Sequence, residues 1–115
     1  MVSFLEGGWI LNGRDAAGEE ITIRLTDREL MESENCVTIG RHPELCDHVL
    51  HEPTVSRRHL RVALRSGGVT IEDLNSQNGT LIDGVDIPAF IACTLRPGQR
   101  LGLGRLELEL TRVAG

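Results

Sequence analysis

The sequence predicts an all-β fold, a sandwich or barrel of about ten short, mostly antiparallel strands in one domain. Three observations lead there. Apolar and polar residues alternate in run after run, as at Ile21, Ile23 and Leu25, which is the two-residue period of a half-buried strand. Turn residues punctuate the chain at spacings of about 8 to 12 residues. No stretch carries a long helical period, and 115 residues suit one domain with one core.

Residues 1–8 read as a loosely held start. Trp9-Ile10-Leu11 is a short apolar run that Asn12-Gly13 is expected to stop, with Asp15 to Gly18 continuing the loop. Glu20 to Thr26 alternates strictly and reads as a strand. Asp27 to Glu34 can begin a helical turn. With only Leu30 and Met31 apolar, it reads as a charged connection to a strand at Cys36–Ile39. Asp47 to Leu50 is a short strand candidate. Leu60, Val62 and Leu64 alternate with Arg61 and Arg65, Ser66-Gly67-Gly68 turns the chain, and Val69 to Leu74 returns with Val69 and Ile71 inward. Asn78-Gly79 and Asp83-Gly84 are tight-turn signals around Thr80–Ile82, and Val85–Ile87 follows. Ile91 to Leu95 is a further apolar run. Pro97-Gly98 is a turn before a closing hairpin of Arg100–Leu103 and Arg105–Leu110. The first and last long strands are expected to pair, away from the functional loops.

Composition narrows the function. Two Phe, one Trp and no Tyr leave too few rings for a base-stacking surface, and a net charge of −5 repels nucleic acid and anionic membranes. The charge is uneven: residues 1–36 hold eight acids and three Arg, whereas residues 40–65 hold three acids and five Arg. A basic patch on an acidic protein suits a small anionic target. All twelve basic residues are Arg, so Schiff-base and P-loop lysine chemistry are excluded. Three widely spaced Cys argue against a disulfide framework and for a reducing compartment. The N-terminus shows no signal-peptide pattern and no run approaches the roughly 20 apolar residues of a membrane helix, so a cytoplasmic location is expected.

The chemistry gathers around Pro53-Thr54-Val55-Ser56-Arg57-Arg58-His59. A hydroxyl donor beside planar, permanently charged guanidinium groups is what a phosphate requires. Two other polar loops, Gly40-Arg41-His42 and Asn75-Ser76-Gln77-Asn78-Gly79-Thr80, are suited to meet it. Two other readings compete. His42, Cys46, His48 and His51 are zinc-competent side chains within ten residues, but their spacing matches no common structural site. Ser56 and His59 lie three residues apart, yet no oriented third group or oxyanion hole is evident, so no catalytic residue is assigned.

Taken in order, Gly40-Arg41, Ser56-Arg57-Arg58-His59, Asp73 to Thr80, Asp83-Gly84, Leu95-Arg96-Pro97-Gly98 and Leu101-Gly102-Leu103-Gly104 resemble the forkhead-associated (FHA) domain. The resemblance covers about Val37 to Leu110. It implies a β-sandwich of about 10–11 strands with ligand held by loops at one end. It also implies a non-catalytic adaptor that reads phosphothreonine in a partner protein, downstream of a Ser/Thr kinase and without a cofactor or metal. By position, Arg41 and Ser56 would contact the phosphate, with Arg57 assisting. Asn78 would bond the peptide main chain. Thr54 would help read the third residue after the phosphothreonine. Gly40, His59 and Gly79 would support the loops. Gln77 departs from the commoner Thr or Ser, which raises the alternative of a phosphate-independent scaffold or self-association module. Selection of threonine over serine would need a small pit for one methyl, worth about 0.8 kcal/mol by transfer, with Val55 and the Gly79 backbone as candidate walls.

Overall fold

The structure, a computed structural model, describes residues 7–32 and 36–114. Among them are eleven strands and one short helix in the order β1 (Gly8–Arg14), β2 (Glu20–Thr26), α1 (Asp27–Glu32), β3 (Val37–Gly40), β4 (His48–Val49), β5 (Leu60–Arg65), β6 (Gly68–Asp73), β7 (Thr80–Ile82), β8 (Val85–Asp86), β9 (Cys93–Leu95), β10 (Arg100–Leu103) and β11 (Leu106–Val113). They form a six-stranded sheet, β2-β1-β11-β10-β7-β8, and a five-stranded sheet, β4-β3-β5-β6-β9. Pairing is antiparallel except between β3 and β4.

Alternation decides what each strand buries. In β11, Leu106, Leu108 and Leu110 are buried while Glu107 and Glu109 are exposed; in β6, Val69 and Ile71 are buried. The core between the sheets is almost wholly aliphatic. Leu11, Ile23 and Leu25 join the β10–β11 leucines on one side, and Val37, Ile39, Leu60, Val62 and Leu95 lie on the other. Each such side chain contributes about 1.5 to 3 kcal/mol of burial.

Two sequence expectations fail. Asn12-Gly13 does not end the first strand: Asn12 pairs with Glu109 on one side and Thr22 on the other. The Asn12 amide is satisfied across the sheet by Thr22 Oγ1 at 2.7 Å and by the Ile21 carbonyl at 3.2 Å, so it has no need of a turn. The turn falls later, where the Asp15 carboxylate accepts the N–H groups of Ala17 and Glu19.

The second failure is the charged connection after Thr26, which forms α1. The Thr26 hydroxyl accepts the Glu29 N–H at 2.9 Å and the Glu29 carboxylate accepts the Thr26 N–H at 3.3 Å, a reciprocal capping box. Leu30 then buries completely. One buried leucine and a capped first turn suffice for a helix this short. The rest of that connection, and most of the loosely held start, lie outside the described residues.

The first and last strands do pair, with Gly8 opposite Val113. The register also collects four connections at the opposite end of the sandwich. Ile39 at the end of β3 faces Leu60 at the start of β5, which faces Asp73 at the end of β6. In the other sheet, Thr80 at the start of β7 faces Leu103 at the end of β10. The segments 41–47, 50–59 and 74–79 and the turn at 104–105 therefore meet.

Candidate functional site

The loops are bound to one another mainly through backbone. Arg41 N–H donates to the Ser56 carbonyl at 3.0 Å and His42 N–H to the Arg57 carbonyl at 3.2 Å. The Cys46 thiol also donates to the Arg57 carbonyl, at 2.9 Å. Gly40 lies at this crossing. A Cβ there would overlap the Arg57 carbonyl oxygen and stand 2.8 Å from the Cys46 sulfur, so only glycine permits the approach.

Arg41 and Ser56 are each held from behind. The Arg41 Nε–H donates to the Val55 carbonyl at 2.9 Å. Its terminal nitrogens have no hydrogen bond or ion pair among the described residues, and the side chain is exposed. Ser56 Oγ accepts the Gln77 backbone N–H at 2.9 Å, which leaves its own O–H as a donor. Arg57 and Arg58 are exposed beside them, and neither makes an ion pair among the described residues.

His59 is fully buried and spans two loops. Its Nδ1 accepts the Ser56 N–H at 3.0 Å and its Nε2–H donates to the Gly79 carbonyl at 3.0 Å. One acceptor and one donor define a neutral ring with the proton on Nε2. Burial pushes the imidazole pKa down, and the attractions of the Gly79 carbonyl and Asp73 offset this only in part. The ring meets the backbone N–H of Ser56 and not its hydroxyl, which is not the arrangement of a nucleophile and its base.

The third loop is shaped by Asp73. This buried carboxylate accepts the Ser76 hydroxyl at 2.5 Å, the Ser76 N–H at 3.1 Å and the Thr80 hydroxyl at 2.6 Å. Burial alone would raise its pKa, but these hydrogen bonds together hold it below the usual carboxylate range. Asn75 occupies a left-handed conformation with φ of 64°, which asparagine tolerates better than most residues. The loop presents Gln77 and Asn78 to solvent.

Asn78 donates through Nδ2 to the Thr54 carbonyl at 2.9 Å, which leaves Oδ1 and one amide hydrogen facing outward. Thr54 is fully engaged. Its N–H donates to Glu52 at 2.5 Å, its hydroxyl donates to the same carboxylate, and that hydroxyl accepts the Arg105 N–H at 2.8 Å. Val55 is 1% exposed and packs into the core, so its side chain is no wall of a surface pit, while its N–H and carbonyl bond the Glu52 carbonyl and the Arg41 Nε–H within the loops.

The zinc-competent side chains disperse. His42 Nδ1 accepts the Glu44 N–H, Cys46 serves Arg57, His48 pairs with Glu29 and His51 is exposed. Among the described residues, no three His, Cys, Asp or Glu side chains gather as a metal ion requires. Sequence reasoning missed Glu52 and Arg105 and gave Asp73 no role of its own. Asp73-x-x-Ser76 is a local turn pattern that could have been read. Arg105 has no local signal, because it is 51 residues from Thr54.

Comparison with known proteins gives a consistent picture. The family model for the FHA domain matches residues 37–104. The FHA domain-containing protein FhaB of Mycobacterium tuberculosis is 32% identical over 85 residues, covering 74% of this chain and 54% of FhaB, so the chain spans about half the length of that relative. The crystal structure of the FHA domain of CT664 from Chlamydia trachomatis superposes with a TM-score of 0.72 at 27% identity, covering 90% of this chain and 96% of that one. Mycobacterium tuberculosis EmbR, solved in complex with a low-affinity phosphopeptide, has a TM-score of 0.68 at 26% identity, covering 94% of this chain and 25% of EmbR. Among the described residues no helix is long and apolar enough to cross a membrane.

Proposed function

The chain belongs to the FHA-domain family, and on that premise we propose that it is a non-catalytic adaptor that recognises phosphothreonine in a partner protein. One observation carries the reading. Arg41 and Ser56 have their inner polar atoms fixed by backbone partners while their outward donors remain unpaired among the described residues. Such donors are organised before a ligand arrives, so little ordering entropy is lost on binding. In this reading the Arg41 fork and the Ser56 hydroxyl take the phosphate oxygens and Arg57 adds charge from the rim. Asn78 offers its outward carbonyl and amide hydrogen to the peptide main chain. Gln77 acts through its backbone, holding Ser56. Gly40, His59 and Gly79 keep the loops in place, and Thr54 does so instead of reading the ligand. The EmbR phosphopeptide complex supports this class of ligand. The adaptor acts in the cytoplasm, downstream of a Ser/Thr kinase.

The test is a titration with a degenerate phosphothreonine peptide library, its phosphoserine counterpart and the unphosphorylated library. Saturable binding to the phosphothreonine set, weakened by about 1.5 to 3 kcal/mol in Arg41→Ala, supports the proposal. Equal binding to all three libraries, or to none, rejects it in favour of a phosphate-independent scaffold or self-association module.

A further inference from the structure

The residue expected to read the flanking sequence, Thr54, has no polar group to spare. Its N–H and hydroxyl donate to Glu52, its carbonyl accepts from Asn78, and its hydroxyl also accepts from the backbone of Arg105. Three connections thus converge on one residue: its own loop, the Asn78 loop and the β10–β11 turn. The last is pressed tightly. Gly104 adopts φ of 58°, and a Cβ there would stand 2.5 Å from the Thr54 hydroxyl oxygen. Thr54 therefore acts as a knot, and what it fixes is the position of Arg105.

Arg105 is anchored by its backbone and exposed in its side chain. Its guanidinium makes no ion pair with any described residue. The acid that attracts it is Glu52, which is only 8% exposed and has one carboxylate oxygen engaged by Thr54. An exposed arginine is thus tied by its backbone to Thr54, the same residue whose carbonyl holds Asn78. We propose that Arg105 is the specificity-determining residue of this site, selecting a carboxylate side chain in the partner on the Asn78 side of the phosphothreonine. The inference rests on the phosphothreonine reading above. It transfers flanking recognition from position 54 to a residue supplied by the other sheet.

An exposed carboxylate–guanidinium pair is weak and screened by salt, so the expected preference is about two- to fivefold at low ionic strength. The experiment uses fluorescently labelled phosphothreonine peptides in an alanine host, with Asp placed at each flanking position in turn. They are titrated into the wild-type chain and into Arg105→Gln. This substitution keeps the backbone N–H that binds Thr54 and removes no core contact. Asp at a position on one side of the phosphothreonine should strengthen wild-type binding, and the Asp-to-Ala affinity ratio should collapse to about one in Arg105→Gln. A preference that survives in Arg105→Gln, or disappears only in Arg57→Gln, overturns the assignment. Binding of phosphothreonine peptides with no acidic preference overturns this inference alone. Failure of every phosphothreonine peptide to bind overturns both readings.

Discussion

Replacing His59 by Ala removes the buried strut between the Ser56 and Gly79 loops. Two backbone groups lose their partners: the Ser56 N–H and the Gly79 carbonyl, each bonded to the ring at 3.0 Å. Each orphaned group costs about 1 to 3 kcal/mol where water cannot replace the ring, so a loss of about 2 to 6 kcal/mol is expected near neutral pH. Urea unfolding monitored by Trp9 fluorescence measures it.

A second arm isolates the ring's charge. The His59 pKa is lowered in the folded chain from 6.5, chiefly by burial. Above that value both the folded and unfolded states hold a neutral ring, and pH has no effect through this group. As pH falls below it, the unfolded chain takes up the proton first, so the wild type loses stability that His59→Ala has no means of losing. The gap between the two proteins should therefore narrow by up to about 1.4 kcal/mol between about pH 7.5 and about pH 5.5. Comparing the two proteins cancels the other histidines. A variant within about 0.5 kcal/mol of wild type at neutral pH, or a gap that widens on acidification, would refute the neutral, doubly bonded imidazole.

Other outcomes follow from the same contacts. Gly40→Ala should lower stability by about 1 to 3 kcal/mol in thermal unfolding, because its Cβ has no space against the Arg57 carbonyl. Asp73→Asn should destabilise by about 1 to 3 kcal/mol, since the amide cannot accept from the Ser76 hydroxyl, the Ser76 N–H and the Thr80 hydroxyl as the carboxylate does. Because the Asp73 pKa is depressed from 3.8, its contribution is present above that value and fades as pH falls through the folded pKa. The stability gap between wild type and Asp73→Asn, read from urea unfolding at a series of pH values, should thus narrow as pH falls below 3.8. For the ligand, the second phosphate ionisation lies near pH 6, so calorimetric affinity should weaken from about pH 7.5 to about pH 5; an unchanged affinity would remove phosphate as the anchor.

Features that depend on neighbours along the chain were legible in the sequence. Strict alternation over Glu20–Thr26 and Leu60–Arg65 places β2 and β5, and Asp83-Gly84 places the β7–β8 turn, where both residues have positive φ. The ordered series from Gly40 to Gly104 was sufficient to point to the family. Local rules misled where a partner strand or a single buried side chain outweighed them. Asn12-Gly13 is held in a strand by β2 and β11, and α1 is kept by Thr26, Glu29 and Leu30 although most of its residues are charged. Which way the loop side chains face, and what they touch, emerged only when the chain folded up. It turned Val55 into the core, engaged every polar atom of Thr54 and brought Arg105 to that loop from 51 residues away. Turn chemistry and alternation are short-range, whereas the direction of a loop side chain is set when two sheets close and distant backbones must satisfy one another's hydrogen bonds.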